Sequence, residues 1–136
     1  MTLRAADVTP GDSRSQVVVE NLTRTQIVQY AGASGDYNPL HTDEIFTTKM
    51  SGYPSVFAHG MLTMGMTGKM LTDWVGDARL TKYGVRFTSQ VWPGDTLDST
   101  ATVKAINGDK VELDVSTKNQ DGVEVLAGYA EARIDP

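Results

Sequence analysis

The segment Tyr30-Ala31-Gly32-Ala33-Ser34-Gly35-Asp36-Tyr37-Asn38-Pro39-Leu40-His41 brings a carboxylate, an amide and an imidazole into a short stretch stiffened by a proline. Such groups take up, give or orient protons, which makes the stretch a candidate for acid-base chemistry. Pro39 lacks an N–H and biases Asn38 toward extended geometry, so Asp36 and His41 cannot share one uninterrupted helix face. They meet, if they meet, across a turn. The plainer reading of the same residues is a solvated turn, with Asp36 in an Asx turn and His41 capping the next helix.

The elements that would position these residues are legible from pattern. Ser15 to Leu22 carries the β-branched run Val17-Val18-Val19 and reads as a strand, and Thr23 with Gln26 forms a capping-box signature for a helix. Ile27, Tyr30 and Ala31 lie at helical spacing, and two glycines, Gly32 and Gly35, are expected to fade that helix. Thr42-Asp43-Glu44 predicts another short helix to about Lys49, broken by Ser51-Gly52-Tyr53-Pro54. From Gly60 to Val75 the apolar residues cover most of a helix circumference, which predicts a central helix buried on nearly all sides. Gly60, Gly65 and Gly68 within it call for close backbone neighbours.

Beyond Gly76 the period changes to two. Tyr83, Val85 and Phe87 form a strand that is expected to pair, past the turn Pro93-Gly94-Asp95, with Leu97 to Ile106. Asn107-Gly108 joins that strand to Lys110 to Lys118, and Asp121-Gly122 leads into Val123 to Ile134. One strand, small helices, a long helix and four meandering strands describe an α+β domain of hot-dog architecture, a curved antiparallel sheet wrapped around a long central helix and spanning residues 1–136.

Composition narrows the function. The 136 residues contain no cysteine, which excludes disulfide frameworks, thiolate metal sites and cysteine nucleophiles and makes a reducing cytoplasm the expected location. Net charge is −5, the wrong sign for a nucleic-acid binder, and no stretch approaches a signal-peptide core or a membrane span. His41-Thr42-Asp43-Glu44 is a poor metal site in a chain with two histidines, so no metal is expected. Asn21-Leu22-Thr23 is a formal glycosylation sequon in which Thr23 serves better as a helix cap. The methionines at 61, 64, 66 and 70 read as core, though they would also suit an adaptable acyl-chain wall. Arg79, Lys82 and Arg86 are the best local cations for a phosphate, or else a solvated strand face. His59 reads as a buried, hydrogen-bonded histidine.

Tyr30 and Ser34-Gly35-Asp36-Tyr37-Asn38-Pro39-Leu40-His41 follow the pattern of an aromatic, a small-residue stretch and then S/T-G-D-x-N-P-L/I/V-H, and Ala58-His59-Gly60-Met61 starts the long helix. In these features the chain resembles the MaoC-like, (R)-specific enoyl-thioester hydratases and dehydratases, the hydratase 2 family. Ala58 to Gly65, Trp74-Val75-Gly76-Asp77 and Val85-Arg86-Phe87-Thr88 look most like catalytic subunits of two-chain (3R)-hydroxyacyl-carrier-protein dehydratases. The resemblance implies a hydro-lyase that interconverts (3R)-hydroxyacyl and trans-2-enoyl thioesters. Asp36 and His41 would then hold a water between them, and Asn38 would orient that water or the carboxylate. The Gly60 N–H, unsatisfied at a helix N-terminus, is the candidate oxyanion-hole donor for the thioenolate. No cofactor is implied beyond coenzyme A or acyl carrier protein as carrier of the substrate, and a homodimer, or a heterodimer with a second hot-dog chain, is the implied assembly. The rival readings are a hot-dog thioesterase and a non-catalytic thioester-binding subunit.

Overall fold

The computed structural model describes residues 3–136. In chain order they form β1 (Ser13–Val19), α1 (Arg24–Ser34), α2 (Pro39–Thr42), a π-helical turn (Phe46–Met50), α3 (Gly60–Val75), β2 (Leu80–Phe87), β3 (Leu97–Asn107), β4 (Lys110–Lys118) and β5 (Glu124–Arg133). The five strands make one antiparallel sheet in the order β1-β3-β4-β5-β2, and α3 packs across it.

The sheet buries one face because its side chains alternate. Leu97, Ser99, Ala101 and Val103 of β3 and Val111, Leu113, Val115 and Thr117 of β4 point inward to meet Met70, Leu71 and Val75 of α3. Each fully buried Leu or Val there contributes about 1.5–3 kcal/mol relative to an exposed one. Where helix meets sheet, the hydroxyls of Thr67, Ser99 and Thr117 close a triangle of hydrogen bonds at 3.1, 2.7 and 2.7 Å, all three residues fully buried. A hydroxyl donates once and accepts more than once, so a ring of three satisfies itself without water.

Thr23 caps α1 as expected: its Oγ1 accepts the Gln26 N–H at 3.0 Å, and Gln26 Oε1 accepts the Thr23 N–H at 2.9 Å. The helix ends within the expected stretch 32–35, though it passes Gly32 itself. Burial of Ile27 and Ala31 outweighs the low propensity of the glycine, and the helix runs to Ser34 before Gly35 turns it in the left-handed region at φ 77°.

Two expectations are corrected. The strand at Tyr83–Phe87 does not pair with β3: it pairs with β5, Val85 opposite Gly128 and Phe87 opposite Leu126, so only β3, β4 and β5 form a meander. The connection 88–96 is fastened elsewhere instead of folding back as a hairpin. Ala58 N–H donates to Val91 O, and the buried Asp95 carboxylate accepts from Trp92 N–H and Gln120 Nε2. Leu22 N–H donates to Asp95 O and Gly94 N–H to Leu22 O, so the same turn also holds the start of α1.

Nor is α3 buried on nearly all sides. Met61, Gly65, Lys69 and Asp73 form an exposed stripe, because the sheet covers one side of the helix and the period-four row opposite faces outward. Met70 is core, Met64 and Met66 are partly buried, and Met61 is exposed. Close approach is found at Gly60 and Gly68 and not at Gly65. Among the described residues, no helix is long and apolar enough to cross a membrane.

Replacing Thr67 by Val keeps the volume and strands a donor and an acceptor of the hydroxyl triangle. The variant is expected to lose about 1–3 kcal/mol of stability in urea denaturation. An unchanged midpoint at unchanged slope would show that the triangle does not hold the helix to the sheet.

Candidate active site

The loop after α1 holds itself by side chains from its own sequence. Ser34 Oγ accepts the Asp36 N–H at 3.2 Å, Asp36 Oδ1 accepts the Asn38 N–H at 3.2 Å, and Asn38 Oδ1 accepts the Leu40 N–H at 3.0 Å to cap α2. The Asx turn weighed from sequence is therefore present, and it aims Asp36 while Asn38 and Pro39 start the short helix that carries His41. Asn38 acts on the carboxylate through its backbone, and its side-chain oxygen is engaged as the cap.

Residues 53–59 bring the second half of the site. Phe57 N–H donates to Leu40 O at 3.2 Å, and His41 Nδ1 donates to Phe57 O at 2.6 Å. In the neutral ring that bond fixes the proton on Nδ1 and leaves Nε2 as a lone pair. Burial holds the His41 imidazole below its ordinary value near 6.5, against the pull of the Phe57 carbonyl in the other direction. The base form is thus the resident form at neutral pH.

Asp36 and His41 do meet, and a third group joins them. A carboxylate oxygen of Asp36 and a ring nitrogen each of His41 and His59 lie within 4.8 Å of one another. A water that hydrogen-bonds two groups at about 2.8 Å each spans such a gap. His59 is 2% exposed, its Nε2 donates to Asp36 O at 2.9 Å, and its ring lies on that of His41 with centroids 3.9 Å and planes 24° apart. The edge of Tyr30 meets His59 at 4.9 Å. His59 is buried and hydrogen-bonded as the sequence suggested, but its place within the site was not foreseen. The only sequence signal was its position next to Gly60.

The trio is a poor metal cage. A metal lies near the plane of each imidazole that binds it, and two stacked rings have no such point close to both sets of nitrogens. One nitrogen of each ring is also committed to a backbone carbonyl.

Gly60 begins α3, where the first N–H groups have no intrahelical acceptor and the helix dipole is positive. Its bareness makes room for the Phe87 ring: a Cβ there would stand 2.8 Å from it, and the ring would have to shift. A cleft of about 300 Å³ opens beside it, lined by Phe57, Gly60, Thr63, Phe87, Gln90 and Val125, and it touches the neighbours of the Asp36–His41 pair without including the pair. His41 lines a separate cleft of about 380 Å³ with Arg24, Val28, Thr42, Glu44 and Val56. The cations weighed as a phosphate site are not gathered there. Arg79 is paired with Asp135 at 3.0 Å, and Lys82 stands over the Tyr129 ring at 5.5 Å.

This antiparallel sheet wrapped on one long helix is a hot-dog domain. Residues 5–124 match the MaoC like domain, and the chain belongs to that family. It is 38% identical over 103 residues to the peroxisomal enoyl-CoA hydratase 2 of Arabidopsis thaliana, covering 74% of this chain and 32% of that protein. It is 42% identical over 69 residues to the 3-hydroxyacyl-thioester dehydratase Y of Mycobacterium tuberculosis, covering 48% and 24%. The chain thus spans about a third or less of the length of these relatives. The unliganded R-hydratase PhaJ1 of Pseudomonas aeruginosa shares the fold with a TM-score of 0.89 at 23% identity, over 98% of this chain and 86% of that one.

In an NMR titration His41 is expected to protonate with a midpoint below 6.5, its Nδ1 carrying the proton in the neutral form. A midpoint at or above 6.5, or the opposite tautomer, would overturn the assignment of Nε2 as the free base.

Proposed function

We propose that the chain is a hydro-lyase that adds water reversibly to trans-2-enoyl thioesters to give (3R)-hydroxyacyl thioesters, with coenzyme A or acyl carrier protein as the carrier. The observation that carries this reading is the Asp36 carboxylate and the His41 base within 4.8 Å of each other, set close to a bare helix N-terminus. The names of the relatives, an enoyl-CoA hydratase and a 3-hydroxyacyl-thioester dehydratase, support the same reaction.

In the hydration direction His41 Nε2 takes one proton from the water as its oxygen bonds to C3. Asp36 holds the other hydrogen, so the lone pair faces the substrate. The π electrons move toward the thioester carbonyl, and the Gly60 N–H receives the developing oxyanion at the positive end of α3. The imidazolium then gives its proton to C2 on the same face, which restores the base and completes a syn addition. The thioester bond is never broken.

We further propose that the working form is a dimer, either of this chain or with a second hot-dog chain. The strands β1 and β2 are sheet edges, and Tyr37, Ile45, Met50, Met61 and Phe87 are large exposed apolar residues. A covering chain would also dry a site whose Asp36 is exposed in the single chain. The cytoplasm remains the proposed location, from the absence of cysteine.

The test incubates the chain with crotonyl-coenzyme A and a longer enoyl homologue, follows enoyl absorbance, and runs a thiol reagent in parallel. Loss of absorbance without thiol release, giving the (R)-alcohol, is the expected outcome. Asp36→Asn and His41→Ala are each expected to lower kcat by roughly 10²–10⁴. Because the base must be unprotonated, hydration should slow as pH falls through the lowered His41 midpoint, placing the acid limb below 6.5. Thiol release would favour the thioesterase instead, and full activity in both variants would remove the pair from the mechanism.

A further inference from the structure

We propose that His59 is the positioning residue of this site, fixing the separation and facing of Asp36 and His41 without itself exchanging protons with the substrate; this rests on the reading that the pair acts on one water. Three contacts converge on it. Asp36 is otherwise tied only to its own turn: its N–H to Ser34 Oγ and its carboxylate to the Asn38 N–H, both in an exposed loop. Among the described residues, the hydrogen bond from His59 Nε2 to Asp36 O, at 2.9 Å across 23 positions, is the one that reaches Asp36 from another element. The same ring lies against the face of His41 at 3.9 Å. His59 therefore touches both members of the pair, one through its backbone and the other through its ring face.

The third contact is covalent. His59 is the residue before Gly60, the proposed oxyanion donor, so one side chain sets the distance from the water-holding pair to the helix start. The ring itself has little freedom: it is 2% exposed and closed in by the Tyr30 edge at 4.9 Å. With Nε2 donating to a carbonyl, its neutral form has an Nδ1 lone pair, and that atom is buried without a partner among the described residues. A buried acceptor left unpaired is a cost that an apolar residue in its place would avoid. The histidine does what an apolar residue cannot, which is to donate to Asp36 O while presenting a flat aromatic face to His41.

A direct acid-base role does not fit the same geometry. The atom able to donate is held by the backbone, and the other ring nitrogen has no surface through which a substrate could reach it. His59 therefore acts through its neighbours. Displacing reacting groups by about 1 Å costs on the order of 10² in rate, and this sets the expected size of the effect.

Two variants test this, His59→Leu and His59→Gln. Leucine fills much of the ring's space and donates nothing, whereas a glutamine Nε2 falls near the position of the histidine Nε2 and restores the donor. The Leu variant is expected to lose kcat on the order of 10²-fold with KM nearly unchanged, and the Gln variant to recover about tenfold of it. A Leu variant with wild-type kcat, or a Gln variant no better than Leu, would overturn the proposal.

Amide exchange at Asn38 and Leu40, whose N–H groups bond to Asp36 Oδ1 and Asn38 Oδ1, provides a readout that needs no activity. Exchange is expected to be faster in the Leu variant and near wild type in the Gln variant, and equal protection in all three would refute the positioning role. If the wild-type chain turns over no enoyl thioester, the hydro-lyase reading fails while this readout still decides the role of His59. If the Leu variant does not fold, the Gln variant alone decides. Wild-type exchange with kcat within about tenfold supports the role, and faster exchange with a loss on the order of 10² overturns it.

Discussion

Helix α3 begins where it does under a steric and an electrical constraint that meet at Gly60. A Cβ on that residue would stand 2.8 Å from the Phe87 ring, so the ring lies over the helix start in this position only while Gly60 is bare. The residue before it, His59, has extended backbone at φ −62°, ψ 137° and does not cap the helix with its side chain. The first N–H groups of α3 are thereby left without an internal partner at the positive end of a sixteen-residue dipole. With its side chain released from capping, His59 turns instead to the loop of Asp36 and the ring of His41. The break between extended chain and helix thus sets His59 against the loop of Asp36 and His41 and places the proposed oxyanion donor one residue further on.

Much of this was legible beforehand because the deciding forces were local. The box formed by Thr23 and Gln26, the span of α3 from Gly60 to Val75 and the whole of β4 from Lys110 to Lys118 depend on residues a few positions apart. The turn that brings Asp36 toward His41 is equally local. Pro39 and the short polar side chains of Asp36 and Asn38 leave the backbone few other ways to run, and the observed bonds are among these same residues.

What the sequence concealed is what only the assembled fold decides. Strand order was misread because alternation at Tyr83–Phe87 specifies a strand and a face but not a neighbour. The neighbour was decided by the anchoring of 88–96 to Ala58 and by the buried Asp95. The exposed stripe of α3 was misread because apolar residues around a helix do not tell which of them the sheet will cover. His59 was seen as buried but not as part of the site, since its partners are 18 and 23 positions away and a ring stack leaves no mark in spacing.

The division of labour between sheet and loops bears on how such a site could change its substrate. Asp36, His41, His59 and Gly60 all stand on two segments, 36–41 and 57–60, which are bonded to each other through Phe57 and Leu40. The cleft beside them takes other walls, Phe87 at the end of the edge strand β2, Gln90 after it and Val125 in β5, and none of these is a partner in the hydrogen bonds that hold the pair. On the hydro-lyase reading, changes in those walls would alter which acyl group fits while the water stays where it is held. Changes in the two segments would disturb the water whatever acyl group is bound. On that reading the proposed chemistry rests on a short, self-bonded unit, and the cleft is shared between Phe57 and Gly60 of the unit and walls that lie outside its bonds.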